Sequence, residues 1–491
     1  MPAARTDAGA DLWLFTHDHR RLAALYAIVI GLAVVVGSFL SIGLALQPLA
    51  GLHAGTNAEE YRQLYSMHGL VMVFLVALPA IPGVLGNWLL PEVLGVERMA
   101  WPRLNLLAFH LLLAGCALFL VAFLAAPIDT GWSFDVPFSV TSRASLSWGL
   151  FAILTIGVSY ACNAANVLAT LVTSRKGARE WLELPTFAWS LGLASLVQLV
   201  VVPVLIGALV VLLAQRAGAT DVLGASNLAG DVQFSEWFWF FAHPAFTAAL
   251  LCAVGAVSEI LAAHTSSSNI AQRSTVYCLL AITVFSFAGF GVHALGREAS
   301  PDTAAMWSAL ALLSGVPFAV LVTRWWTMLW QAPLRTTTAL CYALCFVVFL
   351  VIGGLAGLFL AVLPTGLYLS NTTFATAQSH YLIAGGLLTA LLSGVYHVWP
   401  RWFGVRVREG SGIAACALLF VGVNLAFFPY FVLGFLSVPH RSGQIAETAS
   451  HWGWVSAAGC ALVVAALALA GWNLISTLLQ EHETSGPGRS A

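Results

Sequence analysis

Charge is what this sequence most lacks. Only 8% of its 491 residues are Asp, Glu, Lys or Arg, and their formal sum is −1. Nothing in that balance favours a nucleic-acid partner, which a basic surplus would attract. Long polar stretches are also missing, so no separate soluble domain fits anywhere. There is no C-x-x-C pair: Cys116, Cys162, Cys252, Cys278, Cys341, Cys345, Cys416 and Cys460 all lie in apolar runs and read as small core residues. No small-residue cleavage site accompanies the first apolar run, from about Leu22, which therefore reads as a retained span. Internal repeats are not evident, against a transporter built from inverted halves.

What is abundant is hydrocarbon. A hydrophobic share of 60% and a mean hydropathy of +0.88 predict an all-α integral membrane protein. Windows of about twenty apolar residues give about twelve spans. Their limits are near 22–48, 61–91, 104–127, 144–174, 185–215, 234–264, 272–295, 303–330, 337–362, 372–400, 411–437 and 449–480. Residues 1–21 then form an N-terminal segment, 22–480 the helical bundle and 481–491 a C-terminal tail. Basic residues set the orientation. Fifteen, among them Arg20, Arg98, Lys176 and Arg408, fall on one side, against Arg62, Arg143, Arg216, Arg297 and Arg441 on the other. That asymmetry predicts both termini in the cytoplasm of a bacterial-type membrane.

Topology converts sequence position into depth. His68, His243 and His380 sit about seven to nine residues into spans that enter from outside, and His293 some twenty residues into one that leaves. At about 1.5 Å per residue all four lie roughly 5–15 Å below the outer face. One intramembrane histidine is as well explained by a satisfied core position as by a ligand. Four at one depth point to a metal or haem site. His110, His264 and His397 show no matching partners and read as structural. His17, His19, His53, His451 and His482 read as solvated near the interfaces. Tryptophans near span ends, such as Trp101, Trp237, Trp239, Trp399 and Trp452, suit interfacial belts.

Short motifs add to this. Asp18-His19-Arg20-Arg21 through Tyr26 opens the first span, and Met67-His68-Gly69 follows in the second. Gly86-Asn87-Trp88 with Pro91, then Pro102-Arg103-Leu104-Asn105, Gly131-Trp132 and Pro137-Phe138-Ser139 come next. Gly255 with Ser258-Glu259-Ile260, Ala377-Gln378-Ser379-His380-Tyr381, Trp399-Pro400, and Asn424 with Phe427-Phe428-Pro429 and Leu433-Gly434 complete the series. In order and spacing they resemble subunit I of the haem-copper respiratory oxidases. The resemblance implies a low-spin haem held by His68 and His380, with Arg441 and its neighbour His440 near the propionates, where the family has two arginines. Two axial imidazoles suit electron transfer rather than oxygen binding.

Other family positions are altered. The ligand expected for the second haem is Gln378, and an amide is not a usual haem ligand. The family's copper takes three histidines; His243 and His293 remain as candidates for residual copper, but the third position is Val292. The family's H-P-E-V-Y reads His243-Pro244-Ala245-Phe246-Thr247, without the glutamate or the tyrosine. Proton-carrying residues are replaced by Leu321, following Pro317, and by Arg98. A divalent-ion pair before span 10 is Ser370-Asn371. The expectation is a divergent membrane subunit with one low-spin haem, relaying electrons within a respiratory complex or bracing it. Membrane lipid, companion subunits and a subunit II-like electron donor are its expected partners. An active terminal oxidase or nitric oxide reductase with an altered centre is the alternative that membership alone implies. A haem-free structural or transport protein is a third, and would be colourless.

Overall fold

The computed structural model describes residues 13–46, 58–134, 136, 138–174, 181–218, 228–265, 273–294, 300–439 and 450–484. Among them, twelve helices are long and apolar enough to cross a membrane. We label them α1 (His19–Leu46), α2 (Glu59–Leu94), α3 (Pro102–Ala125), α4 (Leu146–Thr173), α5 (Thr186–Arg216) and α6 (Phe234–Thr265). They continue as α7 (Arg273–His293), α8 (Pro301–Trp330), α9 (Thr338–Ala361), α10 (Thr373–Phe403), α11 (Glu409–Phe435) and α12 (His451–Leu479). Each apolar run of the sequence becomes one helix, its ends shifted by a few residues. In hydrocarbon every backbone N–H and C=O needs an internal partner, which a helix supplies.

Short connections pack sequence neighbours against each other, α3 on α4, α5 on α6 and α11 on α12. Small residues set how closely they approach. A Cβ at Gly422 of α11 would lie 2.8 Å from the backbone nitrogen of Val463 in α12, so nothing larger fits. The helices are unequally covered. In α2 and α6, 83% and 72% of the most apolar window is buried, against 17% in α1 and α8. The two most enclosed helices carry His68 and His243, so these imidazoles face protein rather than lipid.

Two of the histidine-bearing helices are irregular beside the imidazole. In α2 a π-helical stretch, Val71–Ala77, begins three residues after His68, and a second follows at Ile81–Gly86. In α10 the π-helical stretch Tyr381–Leu387 starts at the residue after His380. Such widened turns collect at functional sites, because they re-aim side chains without ending the helix. Both helices stop at a left-handed glycine, Gly95 at φ 67° and Gly404 at φ 71°.

His19 departs from the sequence expectation. It is buried, with Nδ1 2.7 Å from the Asn87 carbonyl and Nε2 3.2 Å from that of Glu97, so it ties the start of α1 to the end of α2 instead of meeting water. His110 and His264 are satisfied structurally, by the Leu14 carbonyl at 2.7 Å and by the Ile260 carbonyl and Thr337 hydroxyl at 2.8 Å each.

Candidate functional site

α2 and α10 meet in the middle of the bundle because Gly394 gives up its side chain. A Cβ there would run into Leu85 of α2, itself fully buried. At their far ends Arg401 reaches Glu92 at 2.6 Å, an exposed pair that marks the register more than it stabilises. This contact brings His68 and His380 together with ring centres 6.1 Å apart and planes inclined by 9°.

The two imidazoles are oriented by the same device. His68 Nδ1 lies 2.9 Å from the Gly37 carbonyl of α1, and His380 Nδ1 lies 2.7 Å from the Thr376 carbonyl one turn back. A carbonyl only accepts, so each Nδ1 carries the proton and each lone pair is left on Nε2. A metal–imidazole bond is about 2 Å long, and the ring centre lies roughly 1 Å behind its nitrogen. Two imidazoles on opposite sides of one metal therefore have centres about 6 Å apart, the separation found here. The residues fit a bis-histidine haem.

α11 buttresses α10 at this level. Tyr381 donates its hydroxyl to Asn424 at 3.0 Å, Phe427 lies 4.4 Å from the His380 ring, and Gly434 is pressed against the backbone of Phe374. On the other flank, Trp132 covers Gly69, where a Cβ would lie 2.9 Å from its side chain. The loop presenting Trp132 is strained. Gly131 has φ 78°, and the fully buried Phe134 has φ 53°, a conformation bulky residues adopt only when their surroundings impose it.

His243 and His293 form the second pair. Nδ1 of His243 and Nε2 of His293 are 3.1 Å apart, with ring planes at 65°. His293 leaves helical geometry to get there: it sits on the 3-10 turn Phe290–Ala294 that ends α7. Gly289 permits the bend, since a Cβ there would be 3.0 Å from the Phe285 carbonyl and 3.1 Å from His243 Nε2. No group of three or more His, Cys, Asp or Glu is gathered for a metal among the described residues. A three-imidazole copper site does not fit this pair.

Gln378 does not replace the missing histidine. Its amide nitrogen is 3.5 Å from the Gly353 carbonyl, at the outer edge of a hydrogen bond, and abuts Gly357 of α9. Nothing in the amide supplies a usual iron ligand, so a second protein-ligated haem does not fit. Ala245 and Leu321 are buried apolar side chains, Thr247 donates to the His243 carbonyl at 3.1 Å, and Arg98, Ser370 and Asn371 are exposed. His440 and Arg441 lie outside the described residues.

Trp239 does more than its place near a span end predicts: its ring stacks on His293 at 3.7 Å and 5°. Trp132 stands edge-on to it at 5.8 Å. The two tryptophans thus form an aromatic wall from Gly69, beside His68, to His293. Sequence position near a span end could not separate Trp239 from a belt residue; the Gly131-Trp132 motif was the one available sign.

Comparison with known proteins identifies the family and the fold. The family model described as Cytochrome C and Quinol oxidase polypeptide I matches residues 21–483. Cytochrome c oxidase subunit 1 of Thermostichus vulcanus is 29% identical over 433 residues, 88% of this chain and 78% of the relative. That of Synechocystis sp. is 30% identical over 438 residues, again 88% and 78%. The Bacillus subtilis protein of the same name is 28% identical over 478 residues, 96% and 76%. In structure, the chain resembles a haem-copper terminal oxidase dimer solved by cryo-electron microscopy. The TM-score is 0.81 at 14% identity, covering 94% of this chain and 84% of that one, a likeness of fold. On the family match, which runs through all twelve helices, the chain belongs to the cytochrome c and quinol oxidase polypeptide I family, the subunit I proteins of haem-copper oxidases.

Proposed function

We propose that this chain is an electron-transfer or bracing subunit that holds one low-spin haem between His68 and His380 and does not itself reduce oxygen. The observation that carries the reading is the contrast between two sites. At one, both Nδ1–H groups are tied to carbonyls and the rings stand 6.1 Å apart. At the other, Gln378 supplies an amide and Val292 leaves two imidazoles without a third.

When bound there, a bis-imidazole haem would exchange single electrons and offer no open position. The Gly37 and Thr376 carbonyls hold the ligands in the coordinating tautomer and orientation, as outer hydrogen bonds to metal-bound histidines do. Trp132 and Phe427 wall the imidazoles with apolar surface. Ala245, Leu321 and Thr247 supply no carboxylate, ammonium or phenol along the interior. Proton delivery to an oxygen-reducing centre lacks those carriers.

Subunit I proteins of this family serve respiratory electron transport, and they work with other oxidase subunits in the membrane. Under our reading this chain takes electrons from a subunit II-like donor. With its basic loops inside, it lies in a bacterial cytoplasmic membrane with both termini in the cytoplasm. The retained His243–His293 pair favours one competing reading, an active oxidase or nitric oxide reductase with an altered centre.

Two measurements on the purified chain separate these readings. A pyridine haemochrome assay is expected to return about one haem per chain, and two would show that a second site is filled. Oxygen uptake with a reduced donor, free of any companion oxidase, is expected to be absent. Sustained cyanide-sensitive uptake at ordinary oxidase rates would promote the active-oxidase reading.

A further inference from the structure

Away from the histidines, two cysteines face each other across a helix interface. Cys345 lies on α9 and Cys416 on α11, 71 residues apart in sequence, with their sulfurs 3.5 Å apart. The alignment has a structural origin. α9 and α11 are both odd-numbered spans, so they run parallel, and their first turns are bound together. The Glu409 carboxylate, opening α11, accepts the backbone N–H and the hydroxyl of Thr338, opening α9, each at 2.6 Å. A carboxylate at a helix N-terminus also meets the positive end of that helix's dipole. Gly412 lets the two backbones close up, because a Cβ there would run into the Thr338 side chain.

Each cysteine then follows seven residues after its own tied end, Thr338 or Glu409. Equal offsets on parallel helices place the two thiols at one height, about 10 Å along from the tied ends. Cys416 is buried, whereas Cys345 is half-buried, and Cys341 stands one turn before it on the same helix.

We infer that Cys345 and Cys416 are an oxidisable dithiol that closes into a disulfide between α9 and α11 when a hydroperoxide reaches Cys345. The chemistry balances in two steps. The Cys345 sulfur attacks the terminal oxygen of the hydroperoxide, and the O–O bond breaks. The departing oxygen takes the Cys345 thiol proton and leaves as an alcohol (water, from hydrogen peroxide), so that the sulfur is left as a sulfenic acid. The Cys416 sulfur then attacks the Cys345 sulfur, the S–OH bond breaks, and its oxygen leaves as water with the Cys416 proton. Two thiols lose two electrons in all, and the hydroperoxide gains them. The half-buried thiol reacts first because it is the one a small uncharged oxidant meets. The buried one resolves because it already touches its partner. An S–S bond is about 2 Å long, so the sulfurs, 3.5 Å apart, need to approach by about 1.5 Å for the bond to close. The inference does not depend on haem content.

The test uses the intact purified chain in detergent, treated with hydrogen peroxide or cumene hydroperoxide, then alkylated and digested without reduction. Chymotrypsin cuts after Tyr342 and Phe346, which separates Cys341 from Cys345. Expected is a peptide pair joined through Cys345 and Cys416, with free thiols falling from eight to six per chain and returning with dithiothreitol. In Cys416→Ser, Cys345 is expected to be captured by dimedone as the sulfenic acid, with no joined pair. Three results would overturn the inference: full alkylation of both residues after excess oxidant, a Cys341–Cys345 link instead, or over-oxidised Cys345 with no link. The wild-type peptide map decides the matter even if the serine variant does not fold.

Discussion

A single proton position governs His68 and His380. Each donates through Nδ1 to a carbonyl, so each is committed to offering Nε2, and neither needs a partner carboxylate to set its tautomer. Under the proposed ligation, alanine at either position would remove one of the two imidazoles that hold the haem. His380→Ala and His68→Ala are each expected to reduce the low-spin bands of the dithionite-reduced spectrum to background, measured against membrane content of the chain. Gln378→His is a complementary test. It returns one imidazole, but Val292 and Thr247 are unchanged, so oxygen uptake is expected to stay at the background of the parent protein. That His68 meets His380 and His243 meets His293 was legible from sequence because their motifs and their depth agree. Trp239 was not, since helical position near a span end does not say whether a ring faces headgroups or stacks on His293. Cys345 and Cys416 were not legible either: no local pattern links residues 71 positions apart, and their meeting follows from Glu409 binding Thr338.

At the scale of helices, apolar length alone placed all twelve spans to within a few residues, because hydrocarbon admits few alternatives to a continuous helix. What apolar length cannot give is the local winding. The π-helical turns after His68 and His380 keep every residue apolar and leave no mark in hydropathy. Contacts between helices are held by glycines, and these make contrasting predictions. A Cβ at Gly434 of α11 would lie 2.5 Å from the backbone nitrogen of Phe374, two turns before His380, whereas one at Gly410 meets nothing within 4 Å. Gly434→Ala is therefore expected to cost about 1–3 kcal/mol and to lower haem retention on heating. Gly410→Ala should match the parent in both. Arg401→Gln breaks an exposed pair with Glu92 and is expected to change stability by less than about 1 kcal/mol. Thermal unfolding followed at the haem band reads all three.

For the molecule as a whole, the most enclosed helices, α2 and α6, each contribute one histidine to the two pairs, while α1 and α8 are mostly uncovered. Under the one-haem proposal, an iron held by both His68 and His380 would leave added ligands nowhere to bind. Carbon monoxide and cyanide are expected to leave most of the reduced and oxidised spectra unchanged, and a stoichiometric photolabile carbon monoxide adduct would count against the one-haem reading. The aromatic wall has a further, photophysical consequence. Trp132 covers the residue next to His68, and Trp239 stands 5.8 Å from it. A porphyrin between His68 and His380 would lie well inside energy-transfer range of both indoles and darken their emission. Filling and emptying of the site would then register as a change in ultraviolet fluorescence, carried by the protein's own residues.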